Sequence, residues 1–440
     1  MSKSIRHFMR LGMHAEQNFF VTHRDKIDTI VLNANLVTYT SGATATLMGG
    51  KLAGKNYMID PMTHAFGHNP KFIMTDETPD KPGKIKPSIA DLAEIYGAPI
   101  ATAVLANTPR AVTPDDFGKK QIDSLAASVI DFQANYLKNA IDESERKYLP
   151  DDDTQTLKPE FFVAPYFYMK LDTIKDWLEI NQQLIFAAKA VASKEIVYAE
   201  IVIDRGILDN PEALNKIANT YLEQDACDGY LLWVSDLSEH EASVSTLAGL
   251  RTLVNILAKT GKPVINLYGG YFSLLLVEFG MAAVCHGPGY GEDRDVIPVG
   301  GGMPVSKFYL TPVHQRLMYR NVQFILRDPS WNIQAYYNEI CAEAECKEIL
   351  SGDLTNFRIY GEETVAEKKG KTYSYPTYES RIHSTKHYLE AKIIEYADVV
   401  NKERNALIEQ LRQAKRRFDP LMPGARLRHL DAWIEVIQSS

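Results

Sequence analysis

The 440 residues leave room for one large domain with an appendage or for two to three ordinary domains, and 45% apolar with 24% charged residues suffices for a full-sized core. A formal net charge of −8 excludes a globally basic protein, so any polyanion has to meet a local basic patch. No apolar run approaches the roughly 20 residues needed to cross a bilayer, MSKSIRHFMRLGMHAEQ lacks a signal-peptide core, and four scattered cysteines make no disulfide framework, which together predict a reduced, cytoplasmic protein.

In chain order, residues 29–37 (TIVLNANLV) read as a first strand, and Tyr57-Met58-Ile59 as a second that stops at Asp60 because Pro61 follows. Residues 67–87, rich in Pro, Gly, Lys and Asp, predict a long loop. Helical periodicity appears at 88–96 and 122–148, before a polar break at 151–159. A third strand covers 161–166 and a helix 174–193. Strand 196–203 ends at Asp204-Arg205-Gly206, and strand 229–234 at Ser235-Asp236, each followed by a helix. Residues 262–293 read as a strand ending in Tyr268-Gly269-Gly270, a helix over 272–278, and a strand over 282–285 that breaks into His286-Gly287-Pro288-Gly289-Tyr290-Gly291. That is the pattern of a parallel βαβ unit, with glycines where backbone can approach a ligand. Lys307 to Leu310 supplies an eighth strand.

Eight strands with intervening helices predict an α/β fold, a (β/α)8 TIM barrel over 1–317 with an insertion after strand 2 at about 68–159. A doubly wound open sheet is the alternative, but it needs a topological switch point and usually fewer strands. From Met318 the pattern turns helical, predicting a C-terminal subdomain over 318–440: a helix at 333–350, a charged loop at 361–375, and one long amphipathic helix at 378–418. Near its end lie Arg412, Lys415, Arg416 and Arg417, either a solvated face or a nucleic-acid contact.

In a barrel the reactive groups sit where strands finish. The candidates are Asp60 and His64, Tyr166 and Tyr168, Asp204 and Arg205, Asp236, Tyr268 with Gly269 and Gly270, and His286 with Gly287 and Gly289. A carboxylate at the end of an apolar strand is costly unless hydrogen-bonded or used, so Asp60 is either a turn cap or an acid/base group. Carboxylates converging on one mouth suit glycosyl chemistry and suit a divalent metal almost as well.

The order of these motifs resembles the tRNA-guanine transglycosylase (queuine tRNA-ribosyltransferase) family, a barrel followed by a zinc-bearing helical subdomain. The family's Asp-Ser-Gly-Gly-Phe falls on Asp60-Pro61-Met62-Thr63-His64, of which the aspartate is kept. Its Gln-Gly-Gly falls on Asp204-Arg205-Gly206. Its Lys-Pro-Arg-Tyr-Leu-Met-Gly-Val-Gly and Phe-Asp-Cys-Val are similar to residues 262–270 and to Ala283-Val284-Cys285-His286. The family's nucleophilic aspartate lands on Val284, which cannot attack an anomeric carbon. Its third-strand aspartate is absent near Pro165-Tyr166. Its Cys-x-Cys-x-x-Cys then His looks like Cys341 to Cys346, with Glu343 at the middle position, followed by His383 or His387.

The resemblance implies Asp60 as acid/base or nucleophile, to which the strand-end candidates His64 and Asp204 are added as the catalytic set, and a structural zinc on Cys341, Glu343, Cys346 and His383. It also implies a nucleic acid or nucleobase-like partner, and a homodimer. Two further readings stand beside it: a catalytically silent barrel that recognises or scaffolds, and an unrelated barrel enzyme on a sugar or phosphorylated substrate, with Gly300-Gly301-Gly302 as a phosphate cradle.

Overall fold

A computed structural model describes residues 3–12, 16–75, 83–141, 157–288, 291–297, 305–368, 370–422 and 427–439. Two compact units are present: one comprises Arg6–Ser238 and Ala248–Val299, the other Met1–Ile5, Glu239–Leu247 and Gly300–Ser440.

The first unit is a (β/α)8 TIM barrel. Its strands are β1 (Arg6–Arg10), β2 (Thr29–Asn33), β3 (Tyr57–Asp60), β4 (Phe162–Val163), β5 (Val197–Asp204), β6 (Gly229–Ser235), β7 (Val264–Asn266) and β8 (Met281–His286). They form one sheet in the order β3-β2-β1-β8-β7-β6-β5-β4, and every pair is parallel. β3 and β4 meet at the seam, where the Glu160 backbone N–H donates to the Tyr57 carbonyl at 2.8 Å.

Side chains alternate across a strand, so every second residue points inward. Phe8, Val31, Met58, Val163, Tyr198, Val202, Leu231, Trp233, Ile265, Leu267, Ala283 and Cys285 fill the interior. Tyr198 stacks on Phe161 with ring centroids 4.0 Å apart. A Cβ at Gly229 would come within 2.5 Å of the Tyr198 ring, so β6 has to begin on glycine.

The strand count of eight holds, but two members differ from the sequence reading. Arg6–Arg10 is the first barrel strand, and the Tyr57 strand that precedes the helical insertion is third. Lys307–Leu310 is not in the barrel; it pairs antiparallel with Gln315–Met318 as the hairpin β9–β10. Five residues with arginine at both ends carry little apolar signal, whereas KFYL carries much, and only pairing with β2 and β8 makes RHFMR a strand.

In the second unit the residues 361–375, read as a loop, form a second hairpin, β11 (Glu363–Lys368) with β12 (Lys371–Pro376). The long helix is two, Tyr378–Asn401 and Arg404–Phe418, because Lys402 adopts extended backbone between them. Residues 333–350 likewise divide into Ile333–Glu339 and Ala344–Leu350. Among the described residues, no helix is long and apolar enough to cross a membrane.

Candidate active site at the barrel mouth and a metal-capable cluster

Asp60 ends β3 pointing inward, 2% exposed. Its Oδ1 accepts from the Tyr166 hydroxyl at 2.6 Å and from the Met62 backbone N–H at 2.9 Å. The second bond caps a tight turn in which Met62 takes the left-handed φ of 53°, so Asp60 is both a turn cap and the inner end of a side-chain chain. Tyr166 has one hydroxyl proton and gives it to Asp60. His64 Nδ1, 3.0 Å from the same oxygen, is therefore the donor, which leaves its Nε2 as the basic nitrogen. Burial holds His64 well below the ordinary histidine range, so the ring is neutral.

Glu200, from the middle of β5, was not among the candidates and is the most unusual group in the barrel. It is 1% exposed, and among the described residues neither carboxyl oxygen has a hydrogen-bond partner. Tyr166 lies near it, but the hydroxyl proton is committed to Asp60. Burial, and then the charge of Asp60, push the Glu200 carboxyl well above the usual range. Asp60 is also raised by burial, but Tyr166, the Met62 N–H, Arg294 and Arg10 all favour its ionised form. Two acids with different environments result: Asp60 has donors and arginines that favour its ionised form, while burial and the Asp60 charge favour the protonated form of Glu200.

Two arginines complete this wall. Arg10, on β1, donates to the Leu267 carbonyl at 2.6 Å and lies 3.8 Å over the Tyr268 ring. Arg294 donates to the Tyr268 hydroxyl at 2.8 Å, and its carbonyl accepts from Trp233 Nε1 at 3.0 Å. Trp233 in turn packs edge-on to His64 with centroids 4.7 Å apart. Nearer the rim, Asp204 accepts from the Tyr168 hydroxyl at 2.9 Å and from the Gly206 N–H at 2.8 Å. His68, in edge contact with Tyr168, is pushed down to about 4 by burial.

The structure thus brings Asp60, His64, Tyr166 and Tyr268 together, with Asp204 at the rim. Other candidates fall elsewhere. Asp236 is exposed and its carboxylate faces Arg205 at 3.6 Å, a rim pair of two solvated side chains. His286 points out of the barrel, since alternation along β8 turns Cys285 inward; its Nε2 lies 2.8 Å from His7 Nε2. Gly269 makes room for packing rather than for a ligand, because a Cβ there would sit 2.8 Å from Ser273 and Val284. Gly287 and Gly291 cross so closely that a Cβ on Gly291 would lie 2.1 Å from the Gly287 nitrogen. Gly270 opens the short helix Tyr271–Leu275. Gly289 and the run Gly300-Gly301-Gly302 lie outside the described residues.

Glu200 did leave a mark in the sequence: VYAEIVID places one carboxylate amid an apolar strand. Arg10 left none, because β1 itself was not legible. Glu200→Gln is expected to raise stability near neutral pH, because an amide enters the core uncharged without taking up a proton, by about 1.4 kcal/mol for each pH unit above the ordinary carboxyl value. A carboxyl whose proton affinity rises on folding loses stability as pH climbs from about 4.5 towards its folded value. The melting temperature of the variant should therefore gain on that of the wild type as pH rises from 4 to 8; a difference that stays constant across that range would reject the assignment.

In the other unit Cys341, Cys346 and His387 are buried and their donor atoms lie within 4.8 Å of one another, a cluster that can hold a metal ion. His387 Nδ1 is 3.4 Å from Cys341 Sγ and 3.2 Å from Cys346 Sγ, while Nε2 donates to the Tyr309 carbonyl at 2.7 Å. That outer bond presents Nδ1 to the sulfurs, as metal-ligating histidines require. The histidine of the set is thus His387 and not His383, one helical turn earlier, whose Nδ1 meets Glu345 Oε1 at 2.5 Å. Glu343 is half-buried, and its field reaches Cys346 and His387. Burial raises the Cys346 thiol, but the hydrogen bond from Cys341 and the field of His387 outweigh it and hold it well below the ordinary thiol range.

The basic run is balanced by acids. Arg412 and Arg416 lie 3.9 and 2.7 Å from Glu409, Arg417 lies 2.6 Å from Glu339, and Lys415 pairs with Asp431. These contacts are solvated, so they lower the local positive potential without adding much stability.

No family model matches the chain, and no curated protein matches it. Among solved structures the chain is similar to the Clostridium thermocellum N-terminal endo-1,4-beta-D-xylanase 10B, CBM22-1 and GH10 modules complexed with xylohexaose. The identity is 11% and the TM-score 0.35, with 64% of this chain and 59% of that chain covered. At that level the likeness carries no argument, and the chemistry has to be read from the residues.

Proposed function

We propose that the barrel mouth is an active site for acid/base chemistry at a ribosyl centre, exchanging or removing a nucleobase. The observation that supports this reading best is the pairing of the buried, unpartnered Glu200 with the hydrogen-bonded carboxylate of Asp60. Departure of a base needs a proton on the leaving nitrogen and a negative group beside the oxocarbenium-like sugar. Glu200 supplies the first and Asp60 the second, either as a stabilising charge or as the nucleophile. Tyr166 and His64 set the Asp60 orientation. The resemblance of the motif order to that of the tRNA-guanine transglycosylase family agrees with this chemistry.

The test offers labelled guanine, with bulk tRNA and with single- and double-stranded DNA as acceptors, and follows both label incorporation and free-base release. Turnover that requires Asp60 and Glu200 supports the reading. Absence of both activities, or full activity in Asp60→Asn, would sink it.

One observation favours a second reading, a silent recognition or scaffold subunit. Val284, at the family's nucleophile position, is 1% exposed and faces Gly269 in the barrel wall. The inward neighbour Cys285 is no substitute, since burial raises its thiol to about 11.

Zinc is the metal that two thiolates and an imidazole suit best, with Glu343 or water as a fourth ligand. In this proposal it ties the helices that carry Cys346 and His387 to the Cys341 segment and takes no part in chemistry. Elemental analysis should find about one zinc per chain, lost in Cys346→Ser together with a fall in melting temperature. Metal-free protein with an unchanged melting curve in that variant would refute it.

A further inference from the structure

Among the described residues Arg10 is the one barrel-interior cation placed near the C-terminal ends of the strands by a strand itself, and it is 8% exposed. Arg294 comes from the chain after β8 and is half-buried. The two guanidinium groups share the Tyr268 side chain: Arg10 lies over the ring at 3.8 Å, and Arg294 binds the hydroxyl at 2.8 Å. Among the described residues neither is within ion-pair distance of a carboxylate, and Arg10 Nε, fully buried, has no hydrogen-bond partner. The fields of both arginines reach Asp60 and Glu200, but only Asp60 is arranged as an ionised acid. Two guanidinium groups thus meet at one side chain with no carboxylate in contact with either, in a place where an unpaired buried charge is costly.

The surroundings leave little choice of occupant. Arg10 Nη2 is taken by the Leu267 carbonyl, while Nη1 faces the crossing of Gly287 and Gly291, where a Cβ on Gly291 would come within 3.1 Å of it. The crossing of the two backbones itself requires these glycines, and it brings their main chain close to the guanidinium. The position is above β7, β8 and β1, the part of a TIM barrel where phosphate is commonly held. A planar guanidinium offers several N–H donors in fixed directions, which suits a tetrahedral oxyanion better than a neutral group.

We infer that Arg10 and Arg294, held by Tyr268, form an anion subsite that takes the phosphate of a nucleotide whose ribosyl carbon faces Asp60 and Glu200. This rests on the reading of the mouth as a ribosyl-chemistry site and adds to it the part of the substrate that anchors it. The phosphate can belong to a free nucleotide or to a strand, and the recognition chemistry is the same.

The experiment measures binding rather than turnover, so it stands or falls separately from catalysis. Inorganic phosphate and ribose 5-phosphate are titrated calorimetrically into the wild-type chain, Arg294→Gln and Arg10→Lys, each first shown to keep the wild-type circular dichroism and melting behaviour. Ribose 5-phosphate should bind the wild type and bind Arg294→Gln about 10–100-fold more weakly, the worth of one charge-assisted hydrogen bond. Arg10→Lys, which keeps the charge but not the fork, should lose part of that affinity and show a steeper dependence on salt. A single-stranded oligonucleotide that displaces ribose 5-phosphate assigns the phosphate to a strand, and failure to displace it assigns it to a free nucleotide. No phosphate binding to the wild type, or equal binding by both variants, overturns the subsite and leaves the base-exchange reading untouched. Phosphate binding without any base chemistry has the opposite meaning.

Discussion

Asp60→Asn should lower base exchange or release by about 10²–10⁴-fold, the usual contribution of a positioned acid/base group. Asparagine keeps an oxygen where Oδ1 now accepts from Tyr166 and Met62, so the turn and the fold should survive and the loss should be chemical. The pH profile supplies the finer check. After burial, the Asp60 charge is the next cause that raises Glu200, so removing that charge lets Glu200 ionise at lower pH. An activity that needs Glu200 protonated then loses its alkaline limb earlier in the variant. An unchanged alkaline limb together with a large rate loss would mean that Asp60 acts alone.

The second large effect lies in the helical unit. Lys392 and Glu395 are each 2% exposed at the side chain and 2.8 Å apart on one helix. Glu395 Oε1 also accepts from the Tyr309 hydroxyl and from His314 Nδ1, both at 2.6 Å, and Lys392 lies over the rings of Tyr309 and Tyr388 at 4.9 and 5.5 Å. Lys392→Met should destabilise the unit by about 3–5 kcal/mol, because it leaves a buried carboxylate without its cation. The double variant with Glu395→Leu should recover part of that loss, since the desolvation cost of both ions disappears.

Burial works against ionised Glu395, yet Lys392 and His314 overcome it and hold the carboxyl at about 2. The stabilisation is therefore complete above the ordinary value near 4.5 and is lost as pH falls through about 2. His429 acts in the same direction from higher pH: burial lowers it to about 3, so acidification from about 6.5 downward already favours the unfolded form. Acid unfolding followed by calorimetry should show the helical unit losing stability across both windows, and the double variant should lose the lower one. A double variant with the wild-type acid profile would show that the pair is not the source.

The amino-acid sequence by itself determined the fold class, since parallel strands buried on both faces are written as short apolar runs separated by helical periods. It also placed Asp60 at a strand end and the pair Cys341 and Cys346 near one another, because a proline stop and a short spacing are local facts. Tertiary structure decided the rest. Whether RHFMR or KFYL closes the barrel depends on which strands it pairs with, and that partner lies more than 270 residues away in register with β8. Alternation says that His286 and Cys285 face opposite ways but not which of them looks inward. A helix carries His383 and His387 one turn apart, and only packing against the Tyr309 carbonyl selects His387. Polar groups inside the core, Glu200, Arg10, Lys392 and Glu395, escape a reading based on apolar period, because each is admitted by neighbours that come from distant parts of the chain.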